Sequence, residues 1–233
     1  MRHLSLCLAL ISATAAIAAE PIVRNGDLEQ VDPANALKPA HWDQPDGLGV
    51  QWTNSPEAGH GKAIRLNTAI TEIQLNEQCK KSGVEKWIIP NPTGGPVGEN
   101  YGLSLYSEAM PVKKGQPYKI TFDFKGPSGG AKMWVRGYGE FEGEKRRRWE
   151  TTIETRVANP KEWTTISQEF FPTKMRDVSE MKVMLYAFYP SAVYWFDNVK
   201  IEPITVQEYD ELRKTPAPAA HGRKPKLPPS EAK

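Results

Sequence analysis

The stretch Tyr118-Lys-Ile-Thr-Phe-Asp-Phe-Lys125 decides the fold class, because its residues alternate strictly between aromatic or apolar and polar side chains. Successive side chains of a β-strand point to opposite faces of its sheet. A period of two therefore predicts a strand with one face in a core and the other in water. Gly126-Pro-Ser-Gly-Gly130 follows as a turn, and a second alternating run begins at Ala131.

Short runs of the same kind recur between residues 22 and 203, separated by turns rich in Gly, Pro and Asn. This pattern predicts an all-β fold, a two-sheet antiparallel β-sandwich. Residues 79–98 resist the pattern and are either a long loop or a strand at 84–89 with a loop behind it. Residues 140–148 carry a charge run and are expected at the tip of a hairpin. The predicted strands are Lys62–Asn67, 101–106, Tyr118–Lys125, 131–138, 163–171, 182–189 and 192–202, and the only expected helix is Val206–Lys214.

The first residues predict a signal peptide. Arg2 and His3 form a basic start, residues 4–11 are apolar, and Ala16-Ile-Ala18 is a small-residue cleavage site. The apolar run is well short of the ~20 residues that cross a bilayer, which argues against a membrane anchor. We expect cleavage near Ala18 or Ala19, a secreted or periplasmic protein, and no transmembrane segment.

This reading divides the chain into three parts. Residues 1–18 are the signal peptide, and residues 20–204 form the sandwich domain. Residues 205–233 form a short helix or extended segment followed by a disordered, basic tail rich in proline, because the composition from Thr215 onward lacks the apolar content to fold.

Charge and cysteine content exclude several classes of function. The chain has 30 Lys and Arg against 28 Asp and Glu, a net charge of +2, so nucleic acid and anionic membrane are not expected partners. Removal of the signal peptide takes Cys7 and leaves Cys79 alone, which excludes an intramolecular disulfide and a cysteine-based metal cluster. The sequence contains no metalloprotease, nucleophile-elbow or phosphate-loop motif.

An ordered series of motifs resembles the carbohydrate-binding modules of the CenC-like type, families 4, 9, 16 and 22, which are jelly rolls similar to galactose-binding domains. The series starts at Asn25-Gly-Asp-Leu-Glu29 and ends at Val193-Tyr-Trp-Phe-Asp-Asn-Val-Lys-Ile201. Between them lie Pro39-Ala-His-Trp42, Gly61-Lys-Ala-Ile-Arg-Leu66, and Trp163 ahead of Phe170-Phe-Pro172. The resemblance implies that the two ends of the domain meet, and that Trp42, Trp163 and Trp195 belong to the core.

The resemblance also implies a structural Ca²⁺ ion where the two ends meet. Glu29 and Asp197 would be its side-chain ligands, and Asp27 a third contributor. Ca²⁺ binds six to eight oxygen atoms, so carboxylates and backbone carbonyls suit it. The alternative is that Glu29 and Asp197 accept hydrogen bonds from backbone amides and hold turns without a metal.

The strand at 131–138 predicts a ligand face. Met133 and Val135 supply its core side, so Trp134, Arg136 and Tyr138 face away from the core. Aromatic rings pack against pyranose rings, and the Arg guanidinium suits adjacent hydroxyls or a carboxylate. If three strands are neighbours, further residues join this face, and the predicted ligand residues are then Trp134, Arg136, Tyr138, Tyr186, Lys125 and Asp123.

Three functions follow. The first is an exported, non-catalytic protein that binds a polysaccharide or oligosaccharide, in company with a secreted glycan-active enzyme or a cell-surface assembly. The second is a structural or protein-interaction jelly roll. The third is an enzyme, either a glycoside hydrolase that uses the paired carboxylates Glu140 and Glu142, or a polysaccharide lyase that uses Arg136, Tyr138 and Lys125. The sequence does not decide whether the tryptophans outside the core set are exposed. Among them we expect Trp149 to be the most exposed, because charged residues surround it.

Overall fold

The structure is a computed structural model that describes residues 22–214. The predicted signal peptide with its cleavage site and the Pro-rich tail from Thr215 lie outside the described residues. The strands are β1 (Val31–Asp32), β2 (Asn35–Pro39), β3 (Val50–Asn54), β4 (Lys62–Asn67), β5 (Leu103–Tyr106), β6 (Met110–Pro111), β7 (Tyr118–Lys125), β8 (Ala131–Phe141), β9 (Glu144–Glu154), β10 (Thr164–Phe170), β11 (Glu180–Ala187) and β12 (Val193–Pro203). The helices are α1 (Glu72–Ser82), α2 (Val97–Asn100) and α3 (Val206–Lys214), with a 3-10 turn at Glu85–Trp87.

The strands build two antiparallel sheets of five strands each, and β1 and β2 form a separate pair. Sheet A has the order β10-β7-β12-β4-β3. Sheet B has the order β5-β11-β8-β9, and β6 extends it by pairing with β11. Residues from both sheets meet in one apolar core, so the predicted all-β sandwich is confirmed.

The strand at Tyr118–Lys125 has the bounds and the facing that its alternation predicts. Tyr118, Ile120, Phe122 and Phe124 are buried, and the residues between them are half-exposed. The Phe122 ring lies 6.1 Å from the ring of Phe196 on β12. Burying one such side chain stabilises the fold by about 1.5–3 kcal/mol.

The two ends of the domain meet, as the resemblance implies. The amide of Val199 on β12 donates to the carbonyl of Gly26 at 2.8 Å, and the amide of Ile22 donates to the carbonyl of Ile201 at 3.0 Å. Trp42 is buried beside this contact, and its indole Nε1–H donates to the carbonyl of Asn25 at 3.1 Å. The N-terminal segment therefore lies on the closing strand.

The expectation that Val206–Lys214 is the only helix is wrong, because α1 spans eleven residues. Thr71 and Gln74 form a capping box at its start, and Gly83 ends it in a left-handed conformation with φ of 75°. Leu75 and Cys79 lie four residues apart and are both buried, which fixes the helix on the core. The strand considered at 84–89 is also absent, since its centre is the 3-10 turn.

The charge run at 140–148 does lie in a hairpin, but its tip is narrower than expected. Strands β8 and β9 pair as far as Phe141 and Glu144. Only Glu142 and Gly143 form the turn, with φ of 53° and 77°. Two consecutive positive φ angles match the right-handed twist of the flanking strands, so both strands extend further than the sequence indicates.

Cys79 should be inert in the native protein. Its side chain is fully buried, and burial raises the pKa of the Cys79 thiol to about 12. Because the thiolate is the reactive form, we expect no labelling of the native thiol by Ellman's reagent near pH 8, and complete labelling in concentrated urea. A Cys7→Ser background makes the readout report Cys79 alone. Rapid labelling of the folded protein would contradict this burial.

Within residues 22–214, no helix is long and apolar enough to cross a membrane.

Candidate functional site

Trp134 and Arg136 lie on the outer face of sheet B, as the alternation of β8 predicts. Met133 and Val135 are fully buried on the core side of the same strand, whereas Trp134 and Arg136 are half-exposed. The antiparallel register places residues of β5, β11 and β9 beside them. The cross-strand rows on this face are Thr152, Trp134, Met184 and Tyr106; Glu150, Arg136 and Lys182; and Glu154, Lys132, Tyr186 and Ser104.

Arg136 is held by three neighbours on this face. Its guanidinium carbon lies 5.2 Å from the centroid of the Trp134 ring, which is cation–π geometry. Its Nη1 donates to the Tyr106 hydroxyl at 2.5 Å, and its Nε lies 3.5 Å from a carboxylate oxygen of Glu150. Burial raises the pKa of Tyr106 above its ordinary value, and the positive charge of Arg136 offsets only part of this effect. Tyr106 therefore stays protonated at neutral pH.

Two nitrogen atoms of this group have no hydrogen-bond partner among the described residues. The indole Nε1 of Trp134 and the Nε of Arg136 are buried and have no hydrogen-bond partner in the described part of the chain. Buried polar atoms are normally satisfied, so these two donors call for a partner outside the protein, either a bound water or a ligand. Trp134, Arg136 and Tyr106 can thus supply an aromatic face and hydrogen-bond donors together.

Tyr186 and Tyr138 extend this face in opposite directions. Tyr186 lies opposite Lys132, in the row next to Trp134, and its hydroxyl donates to the carbonyl of Tyr101 at 3.1 Å. Tyr138 follows Arg136 on the same side of β8, where the pairing with β9 shifts register. The structure therefore brings Trp134, Arg136, Tyr186 and Tyr138 to one sheet face.

The prediction that Asp123 and Lys125 share this face is wrong. Both residues lie on β7, which belongs to sheet A, where it pairs with β10 and β12. Alternation tells which residues of one strand share a side, but not which strands are neighbours. The lyase set of Arg136, Tyr138 and Lys125 is therefore divided between the two sheets. Lys125 instead forms an ion pair with Glu57.

Asp123 belongs to a second polar cluster on the outer face of sheet A. The His60 ring nitrogen Nδ1 lies 3.0 Å from Oδ2 of Asp197, and the ring stacks on Trp163 at 3.9 Å. Asp123 accepts hydrogen bonds from Thr165 at 2.5 Å and from Asn198 at 2.8 Å. Asp197 is buried, and this burial raises its pKa to about 6. The cluster fastens the loop that carries His60 to sheet A.

The three predicted metal ligands each have separate surroundings. Glu29 accepts a hydrogen bond from the Lys62 amide at 2.7 Å, and Asp197 accepts one from the Asn198 amide at 2.7 Å. Asp27 is exposed at a cavity of about 550 Å³ that is also lined by Arg24 and Lys200. Among residues 22–214, no group of three or more His, Cys, Asp or Glu side chains is arranged to hold a metal ion. Glu29, Asp197 and Asp27 are therefore not gathered into one such group, and Ca²⁺ binding stays a prediction.

The burial of several tryptophans differs from the burial expected from the sequence. Trp42 is buried in the core as implied, but Trp163 and Trp195 are half-exposed. Tyr194 and Phe196 face the core, so Trp195 between them must face outward on sheet A. Trp149, expected to be the most exposed, is half-buried and stacks on Phe170 at 5.7 Å. The core positions implied for Trp163 and Trp195 are therefore wrong.

The segment that contains this face matches a known family model. Residues 96–190, which contain β5 to β11, match the family model described as "Carbohydrate binding domain". This segment is therefore similar to the carbohydrate-binding modules of the CenC-like type. The match confirms the resemblance noted in the sequence, and the matched segment includes Trp134, Arg136 and Tyr106. No curated protein matches the sequence at a significant level.

Several solved structures are similar to this chain. The family 61 module TmCBM61 in complex with β-1,4-galactotriose shares 12% identity over 80% of this chain and 100% of its own, with a TM-score of 0.43. The CBM22-1 xylan-binding domain of Paenibacillus barcinonensis Xyn10C shares 13% identity over 82% of this chain and 99% of its own, with a TM-score of 0.43. The arabinose-bound α-L-arabinofuranosidase MgGH51 shares 16% identity over 80% of this chain but 27% of the enzyme, with a TM-score of 0.46.

Proposed function

We propose that the protein is an exported, non-catalytic carbohydrate-binding protein that holds a polysaccharide or oligosaccharide on the outer face of sheet B. The observation that supports this most directly is the group formed by Trp134, Arg136 and Tyr106, in which two buried nitrogen donors have no hydrogen-bond partner within residues 22–214. The match of this segment to a carbohydrate-binding family supports the same assignment.

In this proposal each residue has a role. The Trp134 ring packs against the C–H face of a pyranose ring, and its Nε1 donates to a hydroxyl. Arg136 presents further donors for adjacent hydroxyls, and its contacts with Trp134 and Tyr106 hold it in place before the ligand arrives. Less side-chain entropy is then lost on binding. The neighbouring row with Tyr186 and Lys132 provides room for a second sugar unit.

Export and the absence of catalysis belong to the same proposal. The signal peptide predicted at residues 1–18 would place the protein outside the cytoplasm, where glycans are exposed. The division of Arg136 and Lys125 between the two sheets speaks against the lyase alternative. We also propose a secreted glycan-active enzyme or a cell-surface assembly as a partner of the protein.

Trp134→Ala should abolish glycan binding while leaving the fold intact. Loss of a central aromatic contact weakens binding by at least about 30-fold, and a half-exposed side chain leaves the melting temperature within about 2 °C. A glycan array identifies the ligand, and calorimetric titration with that glycan measures the change.

Trp195→Ala is the matched control, because Trp195 is a half-exposed tryptophan on the outer face of the other sheet. It should bind the glycan as the unmodified protein does. If Trp195→Ala loses binding and Trp134→Ala keeps it, the ligand lies on sheet A and the proposed face is wrong. A fall of several degrees in melting temperature for Trp134→Ala would mark that residue as part of the core.

Repeating the array and the melt with EDTA tests the predicted Ca²⁺ ion, whose removal would lower the melting temperature.

A further inference from the structure

The three consecutive arginines of β9 have different surroundings. Arg146 pairs with Glu144 at 2.8 Å, and Arg147 pairs with Glu150 at 3.0 Å. Arg148 has no carboxylate at ion-pair distance within residues 22–214. Its guanidinium carbon lies 4.1 Å from the centroid of the Phe141 ring, and its buried Nε has no hydrogen-bond partner in that range. The charge of Arg148 is therefore uncompensated, unlike that of its two neighbours.

Arg148 lines a cavity of about 380 Å³ at the edge of the sandwich. Strand β9 is the last strand of sheet B, β10 is the last strand of sheet A, and α3 lies beside β10. Three further cations line the cavity, Lys174 and Arg176 from the segment after β10 and Arg213 from α3. None of the four cations pairs with a carboxylate among the residues that the structure describes. The cavity therefore carries an excess of positive charge.

Two carboxylates also line the cavity, and they are fewer than its four cations. Glu150 is already bound to Arg147, and it also lies 3.5 Å from Arg136 on the sheet B face. Glu169 lies opposite Lys119 in the register of β10 with β7. Glu150 therefore borders both the cavity and the face with Arg136.

Aromatic side chains complete the lining. Trp149 stacks on Phe170, and Tyr209 of α3 meets Phe171 edge to face at 5.5 Å. These contacts hold the rings in place, and all four residues line the cavity. Aromatic surface next to Arg and Lys is the combination that recognises a sugar ring bearing a negative charge. The volume lies within the range of small-ligand sites.

We propose that this cavity is a second binding site, for a sugar unit that carries a carboxylate or a sulfate group. The choice of a sugar rests on the proposed function, whereas the charge of the ligand rests on the four cations of the cavity. The planar fork of an Arg side chain suits either anion, because both present paired oxygen atoms. The protein would then bind an acidic glycan in preference to a neutral one.

Calorimetric titration of the full chain with trigalacturonate tests the site, with the fully methyl-esterified trisaccharide as the uncharged form of the same sugar. Neocarrabiose 4-sulfate, whose only anionic group is its sulfate, distinguishes the two anions. We expect at least one of the two acidic sugars to bind, and about tenfold or greater weakening when a bound trigalacturonate is esterified.

The variant Lys174→Gln/Arg176→Gln removes two exposed cations of the cavity and should weaken acidic sugar binding about tenfold or more. The matched control Lys145→Gln/Arg146→Gln changes the net charge equally, at exposed residues of the same β9 hairpin that lie outside the cavity lining and pair with Glu180 and Glu144. It should change the affinity less than about threefold, because exposed ion pairs contribute little.

Equal losses in the two double variants would mean that overall charge attracts the ligand, and would overturn the site. Equal binding of the charged and esterified trisaccharides would also overturn it, as would the absence of binding by either acidic sugar. Tighter binding of single-stranded oligothymidylate, in competition with the sugar, would assign the cavity to nucleic acid instead. Trp134→Ala should lose the glycan of the sheet B face and keep trigalacturonate. Loss of both ligands in that variant would show that the cavity is not a separate site.

Discussion

Gly26→Ala is expected to destabilise the fold by at least about 3 kcal/mol, a fall of roughly 6–12 °C in melting temperature. A Cβ at position 26 would lie 1.8 Å from the carbonyl oxygen of Val199, far closer than any stable contact. The N-terminal segment would have to withdraw from β12, which would break the hydrogen bond from the Val199 amide and expose Val23 and Leu28, both buried in the core. Urea unfolding followed by circular dichroism measures the free energy of unfolding.

Gly94→Ala is the control for this substitution. A Cβ at position 94 meets no atom within 4 Å, so the free energy of unfolding should stay the same or rise slightly. A change below about 1 kcal/mol for Gly26→Ala would contradict the contact between the two ends of the domain.

Trp42→Ala should cost about 3–5 kcal/mol, the range for large aromatic side chains removed from a core. Trp42 is 2% exposed, and its ring fills the space beside the N-terminal segment while its Nε1–H satisfies the carbonyl of Asn25. Trp42→Phe keeps most of the apolar volume and loses this hydrogen bond, so it should cost about 1–2 kcal/mol. Both values come from the same urea titration.

The difference in destabilisation between Trp42→Ala and Trp42→Phe separates the packing of the ring from its hydrogen bond. Equal destabilisation by Trp42→Phe and Trp42→Ala would mean that the hydrogen bond to Asn25, not the packing of the ring, stabilises this corner. Destabilisation below about 1 kcal/mol by either variant would place Trp42 near the surface and contradict its burial.

Alternation of apolar and polar residues within one strand correctly predicted which side chains face the core, wherever the two sides of the strand differ clearly in polarity. The sides of Tyr118–Lys125 and of Trp134 with Arg136 follow from it directly. The same rule reaches Tyr106, which the sequence analysis did not single out: Leu103 and Leu105 face the core, so Ser104 and Tyr106 face outward. It also places Trp195 outside, where alternation is a better guide than the family resemblance.

Long-range arrangement is what the sequence pattern could not supply. Nothing in β7 indicates that it pairs with β10 and β12 while β8, next along the chain, joins the other sheet. The contact between His60 and Asp197 joins residues 137 positions apart, and His60 lies in a loop without periodicity. Helix α1 was different, since Thr71, Gln74 and Gly83 are cap signals that the sequence contains. The apolar spacing of this helix was not recognised in the sequence, because most of its residues are polar and a Pro-rich loop follows it.

The position of β9 at the end of sheet B has a consequence for the behaviour of the protein at high concentration. The outer edge of such a strand presents unpaired backbone groups onto which a second copy of the chain could add a strand. Residues 144–148 are all charged, and the half of β9 beyond the bulge is therefore costly to bury against another molecule. The charge run thus protects the longest free edge of sheet B against aggregation, whatever ligand its last arginine binds.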